Sequence, residues 1–183
     1  MTALVNIKDL KKSFTQPEGG KLLVLDIPRF QIEKGEQVAM IGQSGGGKTT
    51  LLHLIAGLLS PDQGSIQIDG LQTNGLSEEG RDRFRAEIIG YVFQTFNLLP
   101  AFTAIENVRL GMAFGSGKHQ HARAGDLLAR VGLKDRFNYR PGQLSVGQQQ
   151  RVAIARSLSG RPKLLLADEP TANVDPSSAD SVL

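Results

Sequence analysis

Hydrophobic and polar residues alternate along the start of the chain, and this pattern predicts strands. Residues 3–10 alternate as one strand, the segment PEGG at 17–20 turns the chain, and residues 22–27 return as a second strand. A third, short strand is predicted around residues 30–32. Together these segments predict a small antiparallel sheet.

An apolar run, a glycine-rich loop and a helix follow in that order. The run QVAMI at 37–41 is short and mostly apolar, as in strands that are buried on both faces. A helix is predicted over residues 48–58, and its apolar face has i, i+3, i+4, i+7 spacing through Leu51, Leu52, Ile55 and Leu58. The glycine loop is therefore expected between a buried strand and the start of a helix.

Short strands and helices alternate along the rest of the chain. Strands are predicted at 65–69, 88–93 and 163–167, and helices at 77–87, 103–112, 122–131 and 145–158. Ser77 and Ser145 are predicted N-caps, and the segment TAIE that begins at Thr103 matches a capping box. Asp175, followed by proline, is predicted to start another helix. An α/β fold is expected.

Length and composition point to one domain. The 183 residues are 40% hydrophobic and 21% charged, as in one soluble globular domain. The longest apolar stretch, 51–59, is interrupted by His53 and Gly57 and is shorter than the roughly 20 residues that cross a bilayer. The N-terminus lacks the order of a secretory signal, so a cytosolic chain is expected. The absence of cysteine excludes disulfides, thiolate zinc sites and cysteine nucleophiles.

Charge is mildly basic and does not favour nucleic acid as a partner. The net charge is +3, and the densest basic cluster, Arg81, Arg83 and Arg85, alternates with acidic residues as on a solvated helix face. The 21 glycines are about 11% of the 183 residues, against an average of roughly 7% in proteins. They indicate tight turns and close approach of the backbone to a ligand.

The segment GQSGGGKT at 42–49 is a candidate phosphate-binding loop. It satisfies G-x-x-x-x-G-K-[ST] between a predicted strand and a helix, the context in which this loop cradles phosphates with backbone N–H groups. Lys48 supplies a positive charge for the phosphates, and Thr49 an oxygen for Mg²⁺. The candidate nucleotide-binding residues here are Gly42, Gln43, Ser44, Gly45, Gly46, Gly47, Lys48, Thr49 and Thr50. The alternative is a glycine turn that only connects strand to helix.

Two other glycine patterns do not match a nucleotide site. The segment 115–118 resembles a fragment of the same loop, but Met112 stands in the place of its first glycine and His119 follows its lysine. This segment is interpreted as a flexible loop. Within the phosphate loop, Thr50 stands where G-x-G-x-x-G needs its third glycine, which argues against a dinucleotide fold.

A pair of carboxylates closes the last predicted strand. The segment LLLADE at 164–169 ends with Asp168, a candidate Mg²⁺ ligand, and Glu169, a candidate for polarising the attacking water. Alone, such a pair is more often an exposed turn. The phosphate loop in the same chain favours a nucleotide-hydrolysing site.

Four further features resemble ATP-binding-cassette (ABC) ATPases, and they occur in that family's order. The segment LSVGQ at 144–148, followed by QQRVAIARSL, resembles the signature motif, and DEPTANVD at 168–175 resembles the second carboxylate motif and D-loop. Gln94 lies where the family has its Q-loop glutamine, and Phe14 where an aromatic residue stacks on adenine. The resemblance covers essentially the whole chain.

The resemblance implies a fold and a division of the chain. An α/β P-loop NTPase of ABC type is expected, with a mostly parallel core sheet, an N-terminal antiparallel β subdomain and a helical subdomain. The chain is expected to be one truncated nucleotide-binding domain, 1–183. Its ATP-binding core is expected at 1–93 and 160–183, and its helical subdomain, with the signature, at 95–159.

The resemblance also implies roles in binding ATP and Mg²⁺. Glu169 and Gln94 are the implied catalytic residues, and the implied metal ligands are Thr49, Gln94 and Asp168. Other implied nucleotide contacts are Phe14, Ser145, Gly147, Gln148 and Asp175. Phe14 could instead be an ordinary hydrophobic residue at a sheet edge, Gln94 a loop glutamine, and Ser145 only a helix cap. Val146 replaces the family's usual glycine, and it would be strained if the backbone there had a positive φ.

Partners follow from the same resemblance. Two cassettes are expected to pair head to tail, so that each ATP lies between one chain's phosphate loop and the other's signature, and a separate integral-membrane permease is expected on the cytoplasmic face of the inner membrane. The segments at 51–57 and 92–108 are similar to the lipoprotein-release, macrolide-export and glycolipid-export group. An amino-acid importer ATPase and a cassette acting on nucleic acid or ribosomes are the alternatives, and a small P-loop kinase should lack the signature helix.

One element of the family pattern is missing. The switch histidine should follow the D-loop, and none of His53, His119 and His121 is placed to replace it. The chain is therefore expected to be truncated, to bind nucleotide and to hydrolyse it poorly on its own. Turnover equal to that of a version extended through the histidine would contradict this expectation.

Overall fold

The computed structural model describes residues 3–113 and 121–170. The chain divides into two compact units, Met1–Arg81 and Asp82–Leu183. Each unit is described by itself below. Among the described residues, no helix combines the length and the apolar character needed to cross a membrane.

The first unit contains the antiparallel sheet that the alternating pattern predicts. Its strands are β1 (Val5–Thr15), β2 (Lys21–Ile32), β3 (Gln63–Ile68) and β4 (Leu71–Gln72). They are arranged in the order β2-β1-β3-β4, with antiparallel pairing throughout. The sheet buries one face through alternate residues, and the fully buried side chains are Val5, Ile7, Leu10, Ile66 and Ile68.

The division of β2 into two strands is wrong. Residues 22–27 and 30–32 belong to one continuous strand, although Pro28 lies between them. The pairing of β2 with β1 skips Pro28 and keeps the same register on both sides, with Arg29 opposite Lys8 and Ile27 opposite Leu10. An exposed proline on an edge strand is compatible with such a sheet. The turn at 17–20 is confirmed, with a hydrogen bond from the Gln16 N–H to the Gly20 carbonyl oxygen (2.7 Å). The two-residue strand β4 has no counterpart among the predictions.

The predicted buried strand at 37–41 is also wrong. The structure assigns no strand there, and the side chain of Ile41 is 96% exposed. An apolar run becomes a buried strand only where neighbouring strands supply backbone partners and cover both faces. Within the described part of the first unit, the sheet ends at β2 and β4, and residues 37–41 are not paired with it.

Helix α1 (Lys48–Ile55) follows the glycine loop but ends before the predicted Leu58. Gly57 has φ 66°. The Gly57 and Leu58 N–H groups donate to the carbonyl oxygens of Leu54 (3.1 Å) and His53 (2.9 Å). This is the hydrogen-bond pattern of a glycine-terminated helix, so Gly57 stops a helix whose apolar spacing continues beyond it.

Helix α2 (Glu78–Ile88) begins in the first unit and ends in the second. Its predicted cap is confirmed, because the Gly80 N–H donates to Ser77 Oγ at 3.2 Å. The second unit then contains β5 (Ile89–Val92) and β6 (Leu164–Ala167), which pair in parallel with Val92 opposite Ala167. The two predicted strands are therefore present, but each buries only alternate residues, and Leu165 of β6 is 47% exposed.

In the described part of the second unit, three helices build the core. They are α3 (Ala104–Ala113), α4 (His121–Arg130) and α5 (Val146–Ser159), and α5 packs against both α3 and α4. A short 3-10 helix, Pro141–Gln143, precedes α5. The buried cluster between the helices consists of Ala104, Val108, Met112, Ala124, Leu127, Leu128, Leu133, Leu144, Val152 and Ala155. The loop predicted at 115–118 and the helix start predicted at Asp175 lie outside the described residues.

Candidate nucleotide-binding site

The phosphate loop needs glycine where it meets the sheet. Gly47 is the N-cap of α1 and has a left-handed backbone, with φ 83°. A Cβ at Gly47 would lie 2.8 Å from Leu25 Cδ2 and 3.2 Å from the Val24 carbonyl oxygen. Any side chain there would meet both a steric clash and backbone strain. The loop is therefore packed closely on β2 at its last glycine.

Lys48 lies across the loop that precedes it. Its Nζ donates to the carbonyl oxygens of Gly42 (2.9 Å) and Gln43 (2.8 Å), and the Gly46 N–H closes the loop on the Gln43 carbonyl oxygen at 3.1 Å. In this described segment no side-chain hydrogen bond caps α1, and its first turn contains no acidic residue. A loop of backbone N–H groups, an ammonium group and the positive end of a helix dipole can together bind a polyphosphate.

The other residues assigned to this loop are solvent-accessible. Ser44, Gly45 and Thr49 are exposed, and Thr50 is half-buried on the first turn of α1. His53, further along α1, is half-buried beside the apolar residues of the helix.

Phe14 lies near the end of β1, opposite Leu22 on β2, and is 40% exposed. The Lys12 ammonium is 5.6 Å from the centre of its ring, within the range of a cation–π interaction. An exposed aromatic ring at this edge is accessible to a planar ligand. Phe14 and the phosphate loop both belong to the first unit.

Gln94 and Glu169 come together in the second unit. Gln94 follows β5 and Glu169 follows β6, and because these strands are parallel neighbours their carboxyl ends are adjacent. The Gln94 Nε2 donates to Glu169 Oε2 at 2.9 Å. Glu169 is exposed and has φ 46°, a left-handed conformation that costs energy for a residue other than glycine.

Asp168, between β6 and Glu169, is buried, with 7% of its surface exposed. Its N–H donates to the Val92 carbonyl oxygen at 2.9 Å, which extends the β5–β6 pairing by one bond. Burial, and then the nearby charge of Asp168, raises the pKa of Tyr91 well above its ordinary value. The Tyr91 phenol therefore stays protonated beside the carboxylate.

The signature segment begins α5 with a reciprocal cap. Ser145 Oγ accepts from the Gln148 N–H at 3.3 Å, and Gln148 Oε1 accepts from the Ser145 N–H at 3.0 Å. The predicted Ser145 cap is confirmed, and Gln148, at the S-x-x-Q spacing of a capping box, completes it. Gly147 is half-buried within the same turn.

Val146 is not strained. It is the first helical residue of α5 and is half-exposed. Within residues 3–113 and 121–170, the residues other than glycine that have a positive φ are Asp9, Asp69, Asn97, Arg161 and Glu169. The concern over valine at this position is therefore unfounded in this structure.

The candidate residues thus fall into two groups. Phe14 and the phosphate loop occur in the first unit, and the second unit brings Gln94 and Glu169 together next to Asp168. Asp175 and His119 lie outside the described residues, and the side chain of His121 does as well.

Three side chains that the sequence does not predict hold backbone segments in place. Asp62 binds the end of β1, Asn107 binds the loop before α3, and Arg156 donates to the carbonyl oxygens of Phe96 (2.7 Å) and Asn97 (2.6 Å) after Gln94. All three act on backbone groups distant in sequence or in an irregular loop. No periodic or motif signal marks such contacts.

A glycine phosphate loop, a pair of carboxylates after a parallel strand and a capped signature helix are the parts of an ATP-binding cassette. Residues 25–172 match the ABC transporter family, and the chain belongs to it. It is an ATP-binding and ATP-hydrolysing domain of that family.

Relatives and solved structures resemble the chain over nearly its whole length. The lipoprotein-releasing system ATP-binding protein LolD of Nitrobacter winogradskyi is 48% identical, and the match covers 99% of this chain and 78% of that protein. LolD 1 of Caulobacter vibrioides is 46% identical, with 100% and 79% covered. The dimeric post-hydrolysis structure of the ATP-binding cassette MJ0796, bound to ADP and Pi, has a TM-score of 0.88 and 39% identity, with 97% and 79% covered.

Proposed function

We propose that this chain is the ATPase subunit of a lipoprotein-releasing ABC transporter, paired with a second cassette and docked on a membrane permease at the cytoplasmic face of the inner membrane. The names of its relatives support lipoprotein release, and the dimeric MJ0796 structures support the pairing. The main structural support for ATP hydrolysis is the hydrogen bond between Gln94 and Glu169, because it places a carboxylate and an amide together at adjacent strand ends.

The chain's own residues divide the work of hydrolysis. The phosphate loop and Lys48 bind the triphosphate, with N–H groups and an ammonium group on its oxygens. Glu169 accepts the proton of the attacking water, and Gln94, which donates to Glu169, holds that carboxylate in place. The exposed Ser145 at the start of α5 presents a helix N-terminus to the γ-phosphate of the partner's nucleotide.

We propose that Thr49, Gln94 and Asp168 would hold a magnesium ion, as the resemblance to the family implies. The Thr49 hydroxyl and the Asp168 carboxylate are oxygen ligands of the kind that Mg²⁺ takes, and the Gln94 side chain adds an amide oxygen. When bound, Mg²⁺ would neutralise charge on the β- and γ-phosphates. The burial of Asp168 supports this assignment, since a buried carboxylate gains most from a cation.

The segment after Gln94 is the proposed permease contact. Leu99 and Phe102 are exposed apolar side chains in the loop that Asn107 holds at the start of α3. An apolar pair on a fixed loop is suited to bury against a partner. Phe102→Asp should reduce recovery of the permease with the tagged chain and leave ATP affinity unchanged. Equal recovery would contradict the contact.

The hydrolytic assignment is tested with Glu169→Gln. Because the proposed base contributes a factor of about 10² to 10⁴, single-turnover hydrolysis should fall by about that factor while ATP affinity stays within twofold. Glu87→Gln, which removes an exposed carboxylate at the end of α2, is the matched control and should change neither quantity. Hydrolysis by Glu169→Gln at the unmodified rate would exclude Glu169 as the base.

A further inference from the structure

The side chain of Asp62 continues the sheet where β3 stops. Strand β3 pairs with β1 only as far as Gln63 opposite Lys11. Beyond that point the Asp62 N–H donates to the Lys11 carbonyl oxygen at 2.9 Å, and Asp62 Oδ2 accepts from the Ser13 N–H at 2.7 Å. The carboxylate therefore takes the place of a strand partner for the residue directly before Phe14.

The second carboxylate oxygen of Asp62 holds Lys12. The Lys12 Nζ donates to Asp62 Oδ1 at 2.9 Å and to the Ser60 carbonyl oxygen at 2.9 Å. The same ammonium is 5.6 Å from the centre of the Phe14 ring. Asp62 thus fixes both the backbone before Phe14 and the cation beside its ring.

The sheet is irregular at this place and touches the phosphate loop. Lys12 pairs with Leu25 and Ser13 with Leu23, so the register of β1 on β2 shifts and Val24 is left over. The backbone of Gly47 approaches Val24 and Leu25 so closely that a Cβ would lie 3.2 Å from the Val24 carbonyl oxygen. The irregularity that precedes Phe14 is therefore in direct contact with the loop assigned to the phosphates.

From this arrangement we infer that Asp62 is a positioning residue for the adenine of the bound nucleotide. It sets the irregular end of β1 so that the Phe14 ring stands at a fixed place relative to the phosphate loop. The inference rests on the proposed adenine contact of Phe14. Without the carboxylate, the Ser13 N–H loses its acceptor and the Lys12 ammonium keeps only the Ser60 carbonyl oxygen. The end of β1 is then tied to residues 60–62 by that bond and by the Asp62 N–H on the Lys11 carbonyl oxygen alone. The Lys48 ammonium binds the carbonyl oxygens of Gly42 and Gln43 and not Asp62, so the effect should fall on the base alone.

Calorimetric titration of the full chain with ATP and with inorganic tripolyphosphate separates the two parts of the ligand. Because stacking of a base on an aromatic side chain is worth about 1–3 kcal/mol, Phe14→Ala should weaken ATP binding by about fivefold or more and leave tripolyphosphate binding within twofold. Asp62→Ala should weaken ATP binding by about 3- to 10-fold with the same selectivity. Asp62→Asn, which keeps an acceptor for the Ser13 N–H, should recover part of the loss.

Asp26→Ala is the matched control. Its carboxylate is as exposed as that of Asp62, 46% against 44%, and binds Lys11 at 3.1 Å, one residue from Lys12. Asp26→Ala changes the net charge by the same amount as Asp62→Ala, but Asp26 does not contact the end of β1. The affinities for ATP and for tripolyphosphate should therefore both stay unchanged.

Three results would overturn the inference, each in a different way. If Phe14→Ala lowers both affinities equally or neither, the adenine contact itself is wrong and the inference falls with it. If Phe14→Ala is selective for ATP but Asp62→Ala is not, Phe14 keeps its role and Asp62 has none. If Asp26→Ala matches Asp62→Ala, the effect is one of charge and not of position.

Discussion

Gly47 is constrained both by its backbone conformation and by its packing, and the pattern of glycines in the sequence does not distinguish the two. Its φ is 83°, and a Cβ would lie 2.8 Å from Leu25 Cδ2. Gly45, two residues earlier, has φ 78° but open space around a Cβ. The two positions therefore share backbone strain and differ in packing.

The first prediction compares alanine at these two positions. Gly45→Ala should lower the free energy of unfolding by about 1 kcal/mol through strain alone, and Gly47→Ala by about 2–4 kcal/mol because the clash with β2 adds to it. Urea unfolding followed by circular dichroism measures the difference. Equal losses would mean that the close contact between the loop and β2 is absent in solution.

The sequence predicts the candidate residues better than it predicts their contacts. Gln94 and Glu169 were each recognisable from the segments around them, yet they are 75 residues apart and nothing in either segment indicates their hydrogen bond. That contact depends on the parallel pairing of β5 with β6 and on the left-handed backbone of Glu169. The same holds for Asp62, whose neighbours Lys12 and Ser13 belong to a different strand.

At the scale of elements, the sequence predicts correctly those strands and helix caps that depend only on neighbouring residues. The alternation along β1 and the caps at Ser77, Thr103 and Ser145 are properties of a few neighbouring residues, and all are confirmed. The strand at 37–41 failed because its formation depends on neighbours that hydrophobicity does not specify. Composition likewise did not show that the edge position of β2 tolerates Pro28.

Asn107 of α3 is a fully buried polar side chain that organises the loop before its helix. Its Oδ1 accepts from the Leu99 N–H at 2.8 Å, and its Nδ2 donates to the carbonyl oxygens of Leu99 (3.2 Å), Phe102 (3.1 Å) and Thr103 (3.0 Å). Removing the amide leaves backbone groups without these partners in an interior position, which is costlier than losing a surface bond.

The second prediction follows from this contact. Asn107→Ala should lower the free energy of unfolding by about 2–4 kcal/mol, while Asn138→Ala, at an exposed position in the same unit, should change it by less than about 0.5 kcal/mol. Denaturant titration of both variants gives the comparison. Similar small losses for the two variants would show that the loop is not held through Asn107.

The third prediction concerns the cap of α3. Hydrogen bonds to Glu106 from the Thr103 N–H (2.8 Å) and then from Thr103 Oγ1 (2.8 Å) hold its pKa below the ordinary value of 4.5. Because the folded-state pKa is lowered, this stabilisation is present above the unfolded pKa and is lost as the pH falls through the folded value. Thermal unfolding of the unmodified chain should therefore become more acid-sensitive below pH 4.5 than that of Glu106→Gln. Parallel pH curves for the two proteins would contradict the role of the cap.

At the scale of the whole molecule, the proposed dimer divides each site between two chains. The phosphate loop belongs to the first unit and the signature turn of α5 to the second, and in a head-to-tail pair the two that face one ATP come from different chains. A variant with a defect in the phosphate loop and a variant with a defect in the signature turn can then be tested by mixing the two proteins. Lys48→Ala removes the ammonium group of the phosphate loop. Val146→Glu adds a carboxylate at the start of α5, where the helix dipole stabilises it but where it repels a phosphate.

The fourth prediction is that these two variants complement each other. A dimer made of one variant only should hydrolyse ATP slowly, because each of its two sites carries one defect. In a mixed dimer, one site combines both defects, and the other joins an intact loop to an intact signature turn. Half of the dimers in an equal mixture are mixed, so hydrolysis should return to about a quarter of the unmodified rate. If each chain used its own signature turn, mixing would give only the average of the two slow rates, and the head-to-tail arrangement would be excluded.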